Sequence, residues 1–179
     1  MRILREWVLA IALYVAIILD GSFSLYLHQF MSFHNYGAAC MIMPIGIILI
    51  GLFDDTNANE IWLALGTGVV ADIFTLGIIG VYTVALPLLC WGSQRVARFL
   101  PETFWARLIV VLLGVSLLDI YSWIILSMVG IINVSGHVLL FSVLINLIWS
   151  LVFYVLTYWI WGGLTVNYPF LVDLDAYRQ

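Results

Sequence analysis

Residues 66–82, GTGVVADIFTLGIIGVY, put one aspartate, Asp72, in the middle of an otherwise apolar run and flank it with Gly66, Gly68, Gly77 and Gly80. This stretch decides the fold. The apolar segment that contains it, residues 61–93, would be about 50 Å long as one helix at 1.5 Å per residue. A bilayer's hydrocarbon core is only about 30 Å thick. The segment must therefore be two short helices, turning near Gly77-Ile78-Ile79-Gly80, and Asp72 must find a place inside a membrane hairpin.

Working outward, the whole chain has the same character. It is 179 residues long, 65% hydrophobic and 9% charged, with mean hydropathy +1.15, whereas soluble domains carry charge on roughly a quarter of their residues. The composition defines an integral membrane protein. The ten acids and six arginines are scattered and form no basic run, which argues against a nucleic-acid ligand. Cys40 and Cys90 fall in separate apolar runs without the C-x-x-C spacing of a metal or redox site. The opening MRILREWVLAIALYVAIIL starts basic and turns apolar. It lacks a small-x-small cleavage site, so it reads as an uncleaved first helix.

Apolar runs at residues 7–27, 36–53, 61–77, 80–91, 105–132 and 138–161 predict six transmembrane helices in one bundle, residues 1–179 forming a single domain. Residues 1–6 and 162–179 are expected as short tails. Arginine placement orients them, because cytoplasmic flanks collect Lys and Arg. With both termini cytoplasmic, Arg2 and Arg5, the turn carrying Arg95, Arg98 and Arg107, and Arg178 all lie inside. Five helices would send the central three arginines outside. Trp7, Trp62, Trp91, Trp105, Trp159 and Trp161 then fall at the inner interface, where indole rings prefer to sit. The loops are too short to hold a catalytic domain. The arginine turn could dock a partner, although the topological signal explains it without one.

Three acids fall within the spans: Asp20, Asp72 and Asp119. A central aspartate costs about 2.5 to 3.5 kcal/mol on insertion scales, so each should face the bundle or the outer rim. Asp20, Ser24 and His28 share a helix face, as do Ser116, Asp119 and Ser122, while Ser142, Asn146 and Ser150 form a polar row on the last helix. Gly68 and Asp72 also share a face, which would let a neighbouring backbone come close and offer the carboxyl a donor. Gly66, Gly68, Asp72, Gly77, Gly80, Ser142, Asn146 and Ser150 are thus candidates either for packing inside the bundle or for contact with a partner helix. The three acids have a second reading as proton carriers or ligand contacts.

Catalytic motifs are missing. Asp72 lacks the G-x-G-D setting of an intramembrane aspartyl protease, no G-x-S-x-G or Walker sequence occurs, and His28, His34 and His137 have poor spacing for a metal. The sequence points to no enzyme and no cofactor.

The pattern G-x-G-x-x-x-D-(I/L)-(F/L)-x-x-x-x-x-G-(V/L)-(Y/H), here Gly66, Gly68, Asp72, Ile73, Phe74, Gly80, Val81 and Tyr82, is followed by a second apolar run and a basic turn. It resembles the bacterial rod-shape-determining MreD family over residues 62–98, and length, span number and short loops agree along the rest. The resemblance implies a non-enzymatic subunit of the bacterial cell membrane that supports lateral peptidoglycan synthesis. Its implied partners are MreC, the elongation glycosyltransferase and transpeptidase, and in many species MreB. It also implies a fold related to the substrate-binding S components of energy-coupling-factor vitamin transporters, which makes such a transporter subunit the alternative function. The turn Asp54-Asp55-Thr56-Asn57-Ala58-Asn59-Glu60 is acidic where contact with MreB or anionic lipid would favour basic residues.

Overall fold

The computed structural model describes residues 2–26, 39–132 and 136–171, without the side chains of residues 2–5 and 76. These residues fold entirely as helix and turn. The helices are α1 (Arg2–Tyr26), α2 (Ile42–Phe53), α3 (Asn59–Ala71) with a π-helical turn (Asp72–Leu76), α4 (Tyr82–Ala97), α5 (Phe104–Met128) and α6 (Gly136–Asn167). Three of them, at Glu6–Tyr26, Phe104–Met128 and Gly136–Asn167, are long and apolar enough to cross a membrane.

α2 is the centre of the bundle. Its sequence IMPIGIILIGLF is apolar on every side, and a helix of that kind is stable only when surrounded. Every residue from Ile42 to Leu52 is buried. At 12 residues it is about 18 Å long, shorter than the expected span at 36–53. Residues 39–41 are not helical, and 27–38 lie outside the described residues. The first turn of α2 therefore starts inside the protein. Pro44 fits in that turn, where no intrahelical acceptor is available for its missing N–H.

The chain turns at Gly77 and Gly80, whose φ values of +67° and +130° suit glycine and strain other residues. The helices then gather their ends into two sets. At the basal end, Trp7 meets Phe170 edge to face at 5.8 Å, and the Asn57 side-chain amide donates to the Phe170 carbonyl at 2.9 Å. At the distal end lie Asp20, Ala39, Asp72, residues 77–82, Asp119 and Asn146.

Two tail expectations change. Helix α1 already begins at Arg2 and α6 runs on to Asn167, because Thr165 and Asn167 donate to the carbonyls of Trp161 and Gly163 one turn back. Residues 168–171 fold back onto the basal turn. Trp161 is not an interfacial indole: it is 3% exposed, and a Cβ on Gly46 would overlap its ring. Trp7, Trp62, Trp91, Trp105 and Trp159 do lie on the surface.

Candidate functional site: an acidic joint at the distal end

Asp72 closes α3 and opens the π turn, with the Gly77 N–H donating to the Asp72 carbonyl at 2.8 Å. Its carboxylate then crosses to the start of α4. Oδ1 accepts from the Tyr82 N–H at 2.7 Å, and Oδ2 accepts from the Gly80 N–H at 2.8 Å, the Thr83 N–H at 3.0 Å and the Thr83 hydroxyl at 2.7 Å. The first N–H groups of a helix have no partner in the helix itself. In a membrane interior no water replaces one, and each orphan costs several kcal/mol. Asp72, fully buried, supplies acceptors for two of them, those of Tyr82 and Thr83, and for the Gly80 N–H of the turn, and its carboxyl lies at the positive end of the helix dipole. Gly68, one turn earlier, makes the approach possible: a Cβ there would stand 2.6 Å from the Tyr82 carbonyl oxygen and 2.7 Å from the Thr83 Cα.

The other two acids serve α2 and the segment leading into it. Asp20 on α1 accepts from the N–H groups of Ile42 and Met43, each at 2.8 Å. Asp119 on α5 accepts from the Asn146 amide at 3.0 Å, and Asn146 in turn accepts from the Ala39 N–H at 2.9 Å. The partners of the acids thus lie across the bundle and not along their own helices. Ser116 donates back to the Leu112 carbonyl, and His28 lies outside the described residues. Asp20, Asp72 and Asp119 are all within electrostatic reach of the Tyr82 phenol. The Tyr121 hydroxyl donates to the Gly80 carbonyl at 3.2 Å and so ties α5 to the hairpin turn.

The remaining candidates divide by burial. Gly68, Asp72, Asn146 and Ser150 are buried, and Ser142 is half-buried, so the polar row on α6 runs largely into the bundle. Gly77 and Gly80 serve the turn. Gly66 alone among the candidate helix glycines faces open space, with nothing within 4 Å of where a Cβ would stand. Of the two readings of Gly68, Asp72, Asn146 and Ser150, packing inside the bundle is the one their burial fits.

The three central arginines do not form a free basic patch either. Arg107 donates to the Tyr158 hydroxyl at 3.1 Å and stacks 4.1 Å from the Phe53 ring centre. Arg98 pairs with the Asp55 carboxylate at 3.3 Å and donates to the Asp55 carbonyl at 3.0 Å. Arg95 rests over the Trp91 ring at 5.5 Å. The acidity of the 54–60 turn is thus partly internal. The Asp54 carboxylate accepts from the N–H groups of Thr56 and Asn57 at 3.2 and 3.3 Å, while Arg98 holds Asp55. The side chains of Arg2 and Arg5, and all of Arg178, lie outside the described residues.

Glu60 is a buried acid that the pattern of apolar runs assigns to a loop. It is 1% exposed and accepts from the Gln94 side-chain amide at 3.4 Å, while its second oxygen has no partner among the described residues. Burial first, and the nearby Asp54 charge second, push its carboxyl up to about 9 from 4.5. Its place immediately before the apolar run at Ile61, with an amide on the facing helix, is the only sequence signal for it. Between about pH 4.5 and about 9 the native state keeps a proton that the unfolded chain has released. Stability therefore falls as pH rises through that window. Glu60→Gln is expected to flatten this slope and to raise the melting temperature at pH 8, as measured by thermal unfolding in detergent at several pH values.

Chemically, the distal end is a set of carboxylates that accept from N–H donors, Asp20 and Asp72 at helix starts and Asp119 at the Asn146 amide. Among the described residues no group of three His, Cys, Asp or Glu is placed to hold a metal ion. No protein-family model, curated protein or solved structure matches this chain.

Proposed function

We propose that this protein is a six-pass scaffold subunit of the bacterial cell membrane, of the MreD kind, with both termini in the cytoplasm. In this reading it binds MreC and helps to position the peptidoglycan synthases of wall elongation, with MreB and membrane lipid as further contacts. The observation that carries the reading is the Asp72 joint. Four of the eight residues on which the resemblance rests, Gly68, Asp72, Gly80 and Tyr82, take part in closing the hairpin, through the Asp72 hydrogen bonds at 2.7 and 2.8 Å and the close approach that Gly68 allows. A shared physical role for these four residues supports the reading. The arginine distribution supports the orientation.

A vitamin-binding S component is the second reading, and one observation favours it: a groove of about 470 Å³ beside Asp20, within the size range of small-molecule sites. A pull-down of the tagged protein from its native membrane in mild detergent separates the two. Mass spectrometry is expected to recover MreC or wall synthases. Recovery of an ATPase module together with a bound vitamin would overturn the scaffold reading.

A further inference from the structure

Two grooves open along a seam beside helix α1, a basal one facing α3 and a distal one facing the start of α2 and the π turn that follows α3. The basal groove, about 500 Å³, is lined by Trp7, Tyr14, Trp62, Gly66 and Val70 and is almost wholly apolar. The distal groove, about 470 Å³, has Asp20, Ser22, Ser24, Thr75 and Tyr82 on its wall. Ile17 lines both, so they adjoin at that residue of α1. The hydroxyls of Ser22, Ser24 and Tyr82 make no hydrogen bond with any described residue. Unspent hydroxyls in an otherwise apolar wall are hydrogen-bonding capacity that a ligand could use.

We propose that this seam binds a membrane amphiphile, its alkyl chain lying in the basal groove and a hydrogen-bonding, non-anionic head seated at Asp20, Ser22, Ser24 and Tyr82. Two observations select that occupant. First, polarity is graded along the seam, apolar at Gly66 and polar at Asp20, as an amphiphile is graded along its length. Second, the electrostatics exclude an anionic head: Asp20 lines the distal groove, Asp72 and Asp119 lie within reach of the same Tyr82 phenol, and neither groove is lined by Lys or Arg. Like charges brought together without a counter-ion are disfavoured.

The test uses the full chain in phosphatidylcholine vesicles doped with octadecylamine carrying a diazirine in its tail, or with the matching octadecyl phosphate. After illumination, the tail-borne diazirine of the amine is expected to label peptides spanning residues 7–17 and 62–70, which line the basal groove. The phosphate should label them less by roughly tenfold or more, as a like-charge mismatch requires. Gly66→Leu places a side chain in open space and should leave the melting temperature unchanged or slightly raised, as helix propensity predicts, while cutting amine labelling several-fold. Ser24→Leu plugs the other end and serves as the second variant if Gly66→Leu disturbs folding. Equal labelling by both probes, or labelling spread evenly over the lipid-facing sides of α5 and α6 and unmoved by the plugs, would identify ordinary boundary lipid and overturn the proposal. Preference for the phosphate would overturn it as well.

Discussion

Asp72→Asn is expected to destabilise the protein nearly as much as Asp72→Ala, by about 3 to 5 kcal/mol, the range found when a buried charged group loses its partners or its partners lose it. The reason is the uniform polarity of its surroundings. Every group on the Asp72 carboxylate is a donor: the N–H groups of Gly80, Tyr82 and Thr83, and the Thr83 hydroxyl. An asparagine keeps one oxygen and turns an NH₂ toward N–H groups that have nothing to accept with. At about 2 to 4 °C per kcal/mol for a chain of this size, a fall in melting temperature of roughly 10 °C follows, read by fluorescence-detected size exclusion of a tagged protein in detergent. Asp20→Asn should cost less, since Asp20 holds two backbone donors and is only half-buried. If Asp72→Asn behaved as wild type, the carboxylate clamp would not be what closes the hairpin.

That expectation shows how far a sequence can be read. The hairpin was legible because its two arguments are purely metric: a 33-residue apolar run is too long for one crossing, and glycines stand where it must turn. The pairing of Gly68 with Asp72 was legible because helical spacing puts them on one face. The identity of Asp72's partners was not, since they are backbone N–H groups, and the start of α4 that frees them is set by tertiary packing. The same holds for Asp20. Periodicity along one helix offers it Ser24 and His28, of which His28 lies outside the described residues, whereas the donors found, Ile42 and Met43, belong to the start of α2, a helix shorter than its apolar run suggests. Glu60 and Trp161 were misplaced for a related reason. Both look interfacial by position in the chain, and both are drawn inward by groups on other helices, Gln94 in one case and the gap at Gly46 in the other.

Gly68 and Gly66 provide the sharpest contrast, because they are two residues apart on one helix and differ in what lies beside them. Gly68→Ala is expected to cost about 2 to 4 kcal/mol: its Cβ would overlap backbone atoms of Tyr82 and Thr83 at 2.6 to 2.8 Å, and backbone cannot rotate away as a side chain can, so the hairpin must spread. Spreading also lengthens the Asp72 hydrogen bonds, which makes the two sites interdependent. Combining Gly68→Ala with Asp72→Ala should therefore cost less than the sum of the single effects, as residues sharing one contact network do. Gly66→Ala meets nothing within 4 Å and should be neutral or stabilising by up to about 1 kcal/mol, the helix-propensity difference between alanine and glycine. Melting temperatures of the four variants in one detergent decide the matter. Equal effects of Gly66→Ala and Gly68→Ala would mean that helix propensity governs this stretch and that close contact between α3 and the start of α4 does not.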